Sequence, residues 1–126
     1  MPARRIVFTG GPGSGKTTLL HALQLRRYPV VGDSARAIIK ARKSQSLSPR
    51  PPPLEFAQAI LRLDIQQYGK HAYQSGLVFY ERGVVDAAGM VHEVAALPEH
   101  ELKALLSAYP YHSSVSLSCV GGHLRQ

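Results

Sequence analysis

Cysteine is nearly absent: the lone Cys119 rules out an internal disulfide, and no Cys/His group has the spacing of a zinc site. Long apolar runs are missing too. No stretch of about 18 apolar residues exists to span a bilayer, and the apolar run after Arg4 and Arg5 is too short for a signal peptide. We therefore expect a cytoplasmic protein without membrane contact. The six histidines are scattered, with no H-E-x-x-H among them, so each reads as an ordinary core or surface residue rather than a ligand. Asn-Lys-x-Asp, the usual mark of a guanine-specific switch, is also lacking.

Acidic residues are scarce, at eight against fifteen Lys and Arg, for a formal net charge of +7. The excess is concentrated between Arg26 and Arg50, where Arg26, Arg27, Arg36, Lys40, Arg42, Lys43 and Arg50 face only Asp33. No aromatic interleaving or nucleic-acid motif accompanies that run, so a nucleic-acid partner is not expected. Arg36, Lys40 and Lys43 fall at i, i+4 and i+7, the spacing of a solvated helical stripe. With 44% hydrophobic and 18% charged residues, the composition is that of an ordinary globular protein. Its 126 residues suit a single domain, residues 1–126.

What is abundant is glycine at one place. Gly10-Gly11-Pro12-Gly13-Ser14-Gly15-Lys16-Thr17 satisfies G-x-x-x-x-G-K-[ST] at every fixed position, and Thr18 continues it. The glycines let backbone N–H groups wrap a polyphosphate without Cβ clashes. Lys16 supplies a point charge for the β- and γ-phosphates, and the Thr17 hydroxyl is placed to ligate Mg²⁺. The context agrees: Arg4 to Thr9 is a short strand-forming run, and Leu19, Leu20 and Leu23 follow at helical spacing. An anion would then meet a helix N-terminus. The expected ligands are a nucleoside triphosphate, ATP, and Mg²⁺.

Along the chain, a helix is expected from about Gly15 to Arg26 and a strand over Tyr28 to Val31. Asp33 or Ser34 then caps a helix to about Lys43. Residues 44–53 are proline-rich and read as a loop, either a simple connection or a cover for substrate. Leu54 to Gln74 carries a helical stripe of Ala57, Leu61, Ile65, Tyr68 and Ala72. Leu77 to Tyr80 is a buried strand closed by Glu81, the Walker B shape, whose acid holds Mg²⁺ beside Thr17. Helices over Val84 to Leu97 and from Pro98 as first helical residue precede a last strand, Val115 to Val120. The alternation implies an α/β fold, a three-layer doubly wound parallel sheet with the site at the strands' carboxyl ends.

Arg5 to Leu20, then Tyr28-Pro29-Val30-Val31 with Ala35 to Ile39, and Val78-Phe79-Tyr80-Glu81-Arg82-Gly83 with Asp86, resemble the small P-loop AAA-domain ATPases of the nicotinamide riboside kinase (NadR-like) group. The resemblance implies a nucleoside-kinase-like P-loop fold and an unidentified small-molecule acceptor. It gives Asp33 and Arg82 catalytic roles alongside Lys16, and it places Arg36 and Asp86, with Asp33, around the acceptor. This chain has Asp where the family commonly has Glu at position 33, and Glu for Asp at position 81. The family continues with a Pro-Pro-Trp-Glu-like turn, an arginine-bearing lid, and a last strand and helix. Codons exist for Val120 to Arg125 that read Trp-Glu-Ala-Ile-Tyr one base out of frame, so residues 113–126 are expected to include a frameshifted tail, with lid and last strand missing. Such a chain would turn over slowly and would expose a sheet edge around Val115, Leu117 and Val120, favouring self-association. Two further readings stand beside a kinase or ATPase: a nucleotide-dependent regulatory switch, and an inactive fragment.

Overall fold

A computed structural model of the chain describes residues 4–11, 14–72, 75–95, 97–120 and 123–125. In chain order these form β1 (Arg4–Thr9), α1 (Lys16–Leu25), β2 (Val30–Val31), α2 (Ser34–Ser44), α3 (Pro53–Lys70), β3 (Leu77–Glu81), α4 (Val84–Ala95), α5 (Glu99–Ala108), β4 (Ser113–Ser116), β5 (Ser118–Val120) and β6 (His123–Arg125). They fall into two compact units. The sheet unit comprises Met1–Val31, His71–Arg82 and Tyr111–Gln126; the helical unit comprises Gly32–Lys70 and Gly83–Pro110.

In the sheet unit four strands lie all parallel in the order β2-β3-β1-β4. The fold is α/β, as the alternation of patterns implies. Both faces of β1 and β3 carry apolar side chains, as expected of the inner strands of a parallel sheet. Val7, Val31, Val78 and Tyr80 cluster with Tyr111, and Phe8 and Phe79 cluster with Leu20 of α1 and with Leu117. Aromatic edges fill the gaps: Tyr80 meets Tyr111 at 5.2 Å and Tyr28 meets Phe79 at 5.3 Å, both T-shaped. The register sets Phe8 beside Glu81, which brings the ends of β1 and β3 together. At the other end of β1, the Arg5 N–H donates to His112 Nδ1 and the His112 N–H to the Arg5 carbonyl, each at 2.8 Å, so the lead-in to β4 is pinned.

The last strand departs from expectation. The run from Val115 to Val120 is not one strand: β4 ends at Ser116, and β5 pairs antiparallel with β6 in a separate two-stranded sheet. Leu117, between them, donates its N–H to the Thr9 carbonyl at 3.0 Å and packs into the Phe8 cluster. It is therefore buried, and Val115 half-buried, instead of exposed. The side chain of Val120 lies outside the described residues.

In the helical unit α3 packs on both α2 and α4, and α4 also packs on α5. The inward face of α3 is Ala57, Ile60 and Asp64, at i, i+3 and i+7; Leu61, Ile65 and Tyr68 flank it half-buried. Tyr68 donates to the Pro110 carbonyl and stacks edge-on with Tyr109. Two prolines moved relative to expectation. Pro53 opens α3, where a missing N–H costs nothing, and Pro98 caps α5 instead of starting it. The proline-rich loop is held at its base, because Arg42 donates to the Ser48 carbonyl at 2.6 Å. Arg36, Lys40 and Lys43 are all exposed, as their spacing implies.

Candidate nucleotide site

Every described residue of the glycine-rich stretch belongs to the sheet unit; Pro12 and Gly13 lie outside the described residues. β1 runs into Gly10 at φ +146°, and a Cβ there would sit 2.6 Å from the Leu117 carbonyl oxygen and 2.9 Å from Ser14 Oγ. Only glycine lets the chain turn this close to the sheet. The Ser14 N–H donates to the Gly11 carbonyl at 3.3 Å. Gly15 is left-handed at φ 86° and stands as the N-cap of α1 without a capping side chain. The first turn of α1 carries no acidic residue either, and Thr17 and Thr18 are exposed on it. Its amide dipoles are therefore available to an anion.

Lys16 is buried at 7% exposure, with Nζ donating to the Gly10 carbonyl at 3.1 Å and lying 3.9 Å from Glu81 Oε2. Glu81, the last residue of β3, is buried too. Arg82 follows with φ +60°, a conformation costly for a non-glycine residue, and its N–H donates to the Phe8 carbonyl at 2.8 Å. That turn sends its guanidinium Nη2 back to the Gly10 carbonyl at 3.2 Å. Two cations and one carboxylate from three elements thus converge at the mouth of β1. Ser14 Oγ is buried among them with no hydrogen-bond partner among the described residues. An orphaned hydroxyl of this kind costs about 1–3 kcal/mol unless a ligand satisfies it.

Asp33, Arg36 and Asp86 lie in the helical unit, where two of them have clear structural duties. Asp33 is the N-cap of α2, its Oδ1 accepting the Ala35 N–H at 2.9 Å. Asp86, in the first turn of α4, accepts the Gly83 N–H at 3.0 Å, the reach-back half of a capping box. Arg36 is exposed on α2. Sequence reasoning missed their neighbour Asp64, which is buried on α3 and accepts a short hydrogen bond from Ser34 Oγ of α2. Burial pushes its carboxyl up from 3.8 to about 6; Ser34 opposes this, and the charges of Asp33 and Asp86 add to it. The signal was there, since Asp64 sits four residues after Ile60 on the inward stripe.

A family model described as an AAA domain matches residues 5–122, nearly the whole chain. The chain belongs to the AAA-domain family. It is thus a nucleotide-binding P-loop protein. Among solved structures, the crystal structure of TT1252 from Thermus thermophilus is similar at 16% sequence identity, covering 97% of this chain and 92% of that one, with a TM-score of 0.43. No curated protein matches the sequence.

The residues of this AAA domain fit a phosphate group. The buried Lys16 ammonium, the orphaned Ser14 hydroxyl and the uncapped start of α1 all supply donors or positive potential without a competing anion on the helix. Of the two residues expected to hold Mg²⁺, Thr17 is exposed on the first turn of α1 and Glu81 is buried with its carboxylate 3.9 Å from the Lys16 ammonium. No cluster of three or more His, Cys, Asp or Glu side chains that could hold a metal occurs among the described residues. Nor, among them, is any helix long and apolar enough to cross a membrane.

Proposed function

We propose that this AAA domain binds Mg-ATP and transfers the γ-phosphoryl group to a small hydroxyl acceptor, or to water, in the manner of the nicotinamide riboside kinase (NadR-like) group it resembles. The observation that carries the reading is the convergence of Lys16, Arg82 and Glu81 on the Gly10 turn beside an unsatisfied Ser14 hydroxyl. Phosphoryl transfer needs little covalent chemistry from the protein; positioning and neutralisation of developing charge supply most of the acceleration. Lys16 takes the β- and γ-phosphates, and Arg82 is the second cation for the transferring group. Thr17 and Glu81 would hold Mg²⁺, which neutralises and orients the phosphates when bound. For Asp33 we propose orientation of the acceptor hydroxyl, with Arg36 and Asp86 as further acceptor contacts.

The test is a transfer screen with γ-³²P-ATP against nucleosides and small alcohols. Label on an organic product supports a kinase; label released only as inorganic phosphate supports the ATPase. ATP bound without either product overturns the catalytic reading and leaves a nucleotide-dependent switch.

A further inference from the structure

Asp64 is an expensive residue to keep where it stands. At 8% exposure on the inward face of α3, one turn beyond Ile60 on the stripe begun by Ala57, a carboxylate loses most of its hydration. Among the described residues the groups that act on it are Ser34 and Asp33 from α2 and Asp86 from α4, none of them a cation. An apolar residue of similar size would close the α2–α3 contact more cheaply, since isolated buried charges weaken a core. The placement makes sense through its one hydrogen bond. Ser34 Oγ donates to Asp64 Oδ1, and Ser34 directly follows Asp33, whose own Oδ1 holds the Ala35 N–H. The first turn of α2 is therefore gripped twice, by its cap and by a carboxylate from the neighbouring helix.

We propose that Asp64 is a positioning residue: through Ser34 it fixes the head of α2, and with it the direction of the Asp33 carboxylate that the proposed reaction uses on the acceptor. This rests on the reading of Asp33 given above. The acceptor hydroxyl must meet the phosphoryl group within a few tenths of an ångström, so an acid at a helix cap is useful only if the cap cannot rock.

The experiment follows the Ala35 amide of the full chain by ¹⁵N NMR against pH, because that N–H is bonded to Asp33 and reports both grips. In the unaltered protein its shift should show a step near pH 6, where the Asp64 carboxyl titrates. Asp64→Asn keeps an acceptor for Ser34 and should remove that step. Ser34→Ala leaves the carboxylate in place but cuts the link, and should also silence the step at Ala35. Persistence of that step in both variants overturns the proposal. In the transfer assay Ser34→Ala, which cuts the link, should lower kcat at least tenfold with the ATP dissociation constant unchanged. An unchanged kcat overturns it as well. Should the chain prove to transfer nothing, the reading of the reaction fails, while the Ala35 titration still decides whether Asp64 holds the α2 cap.

Discussion

At the residue scale, Gly10 and Asp64 are set by opposite pressures. Gly10 is where backbone must approach backbone: a methyl group would meet the Leu117 carbonyl at 2.6 Å, and φ of +146° strains any L-residue besides. Gly10→Ala should therefore destabilise the fold by about 2 kcal/mol or more, read as a lowered urea midpoint, and should weaken nucleotide binding as the loop shifts. A variant as stable as the parent would show that the turn is not held as described. Asp64 instead keeps a charge at a cost. Because the folded protein holds the Asp64 proton more tightly than the unfolded chain does, the contribution of this group to stability is greatest below pH 3.8, declines as pH rises to about 6, and is level above. The interval corresponds to about 3 kcal/mol. Asp64→Asn should lose that slope and be stabler at pH 7 by up to about 3 kcal/mol; an unchanged slope in pH-dependent denaturation would contradict the assignment.

At the scale of elements, the cap of α2 is also the residue proposed to orient the acceptor. Asp33 caps the helix, so Asp33→Ala should cost about 1 kcal/mol, whereas Asp33→Asn, a good capping residue, should retain stability and lose phosphoryl transfer. Equal activity loss with equal unfolding in both variants would reduce Asp33 to a cap. The strand, glycine turn and helix from Arg4 to Leu25 were legible in the sequence because each piece follows from local rules: β-branched residues, glycines where φ is positive, and leucines at helical spacing. Glu81 at a strand end was legible for the same reason. The break of the last strand at Leu117 was not, since it depends on that residue dropping among Phe8, Leu20 and Phe79 from distant parts of the chain. Nor was the Ser34–Asp64 pair, because the stripe can place Asp64 inward but its partner is fixed only when α3 meets α2.

At the scale of the whole molecule, the duties divide between units. Gly10, Lys16, Glu81 and Arg82 lie in the sheet unit, and the acids and arginine proposed for the acceptor lie in the helical unit. Thr17→Ala and Glu81→Gln should therefore each weaken the Mg²⁺ dependence of ATP binding while leaving the Ala35 amide signal of α2 unmoved. Metal dependence that survives Glu81→Gln would remove Glu81 from the metal site. The central claim, that the Gly10 to Thr18 loop with Lys16 is a working phosphate cradle, is tested most directly by calorimetric titration of the full chain and its Lys16→Ala variant with Mg-ATP. Since the variant removes the buried ammonium proposed to take the phosphates, we expect saturable binding by the parent and a loss of at least about tenfold on substitution. Equal affinity in the two proteins would contradict the account.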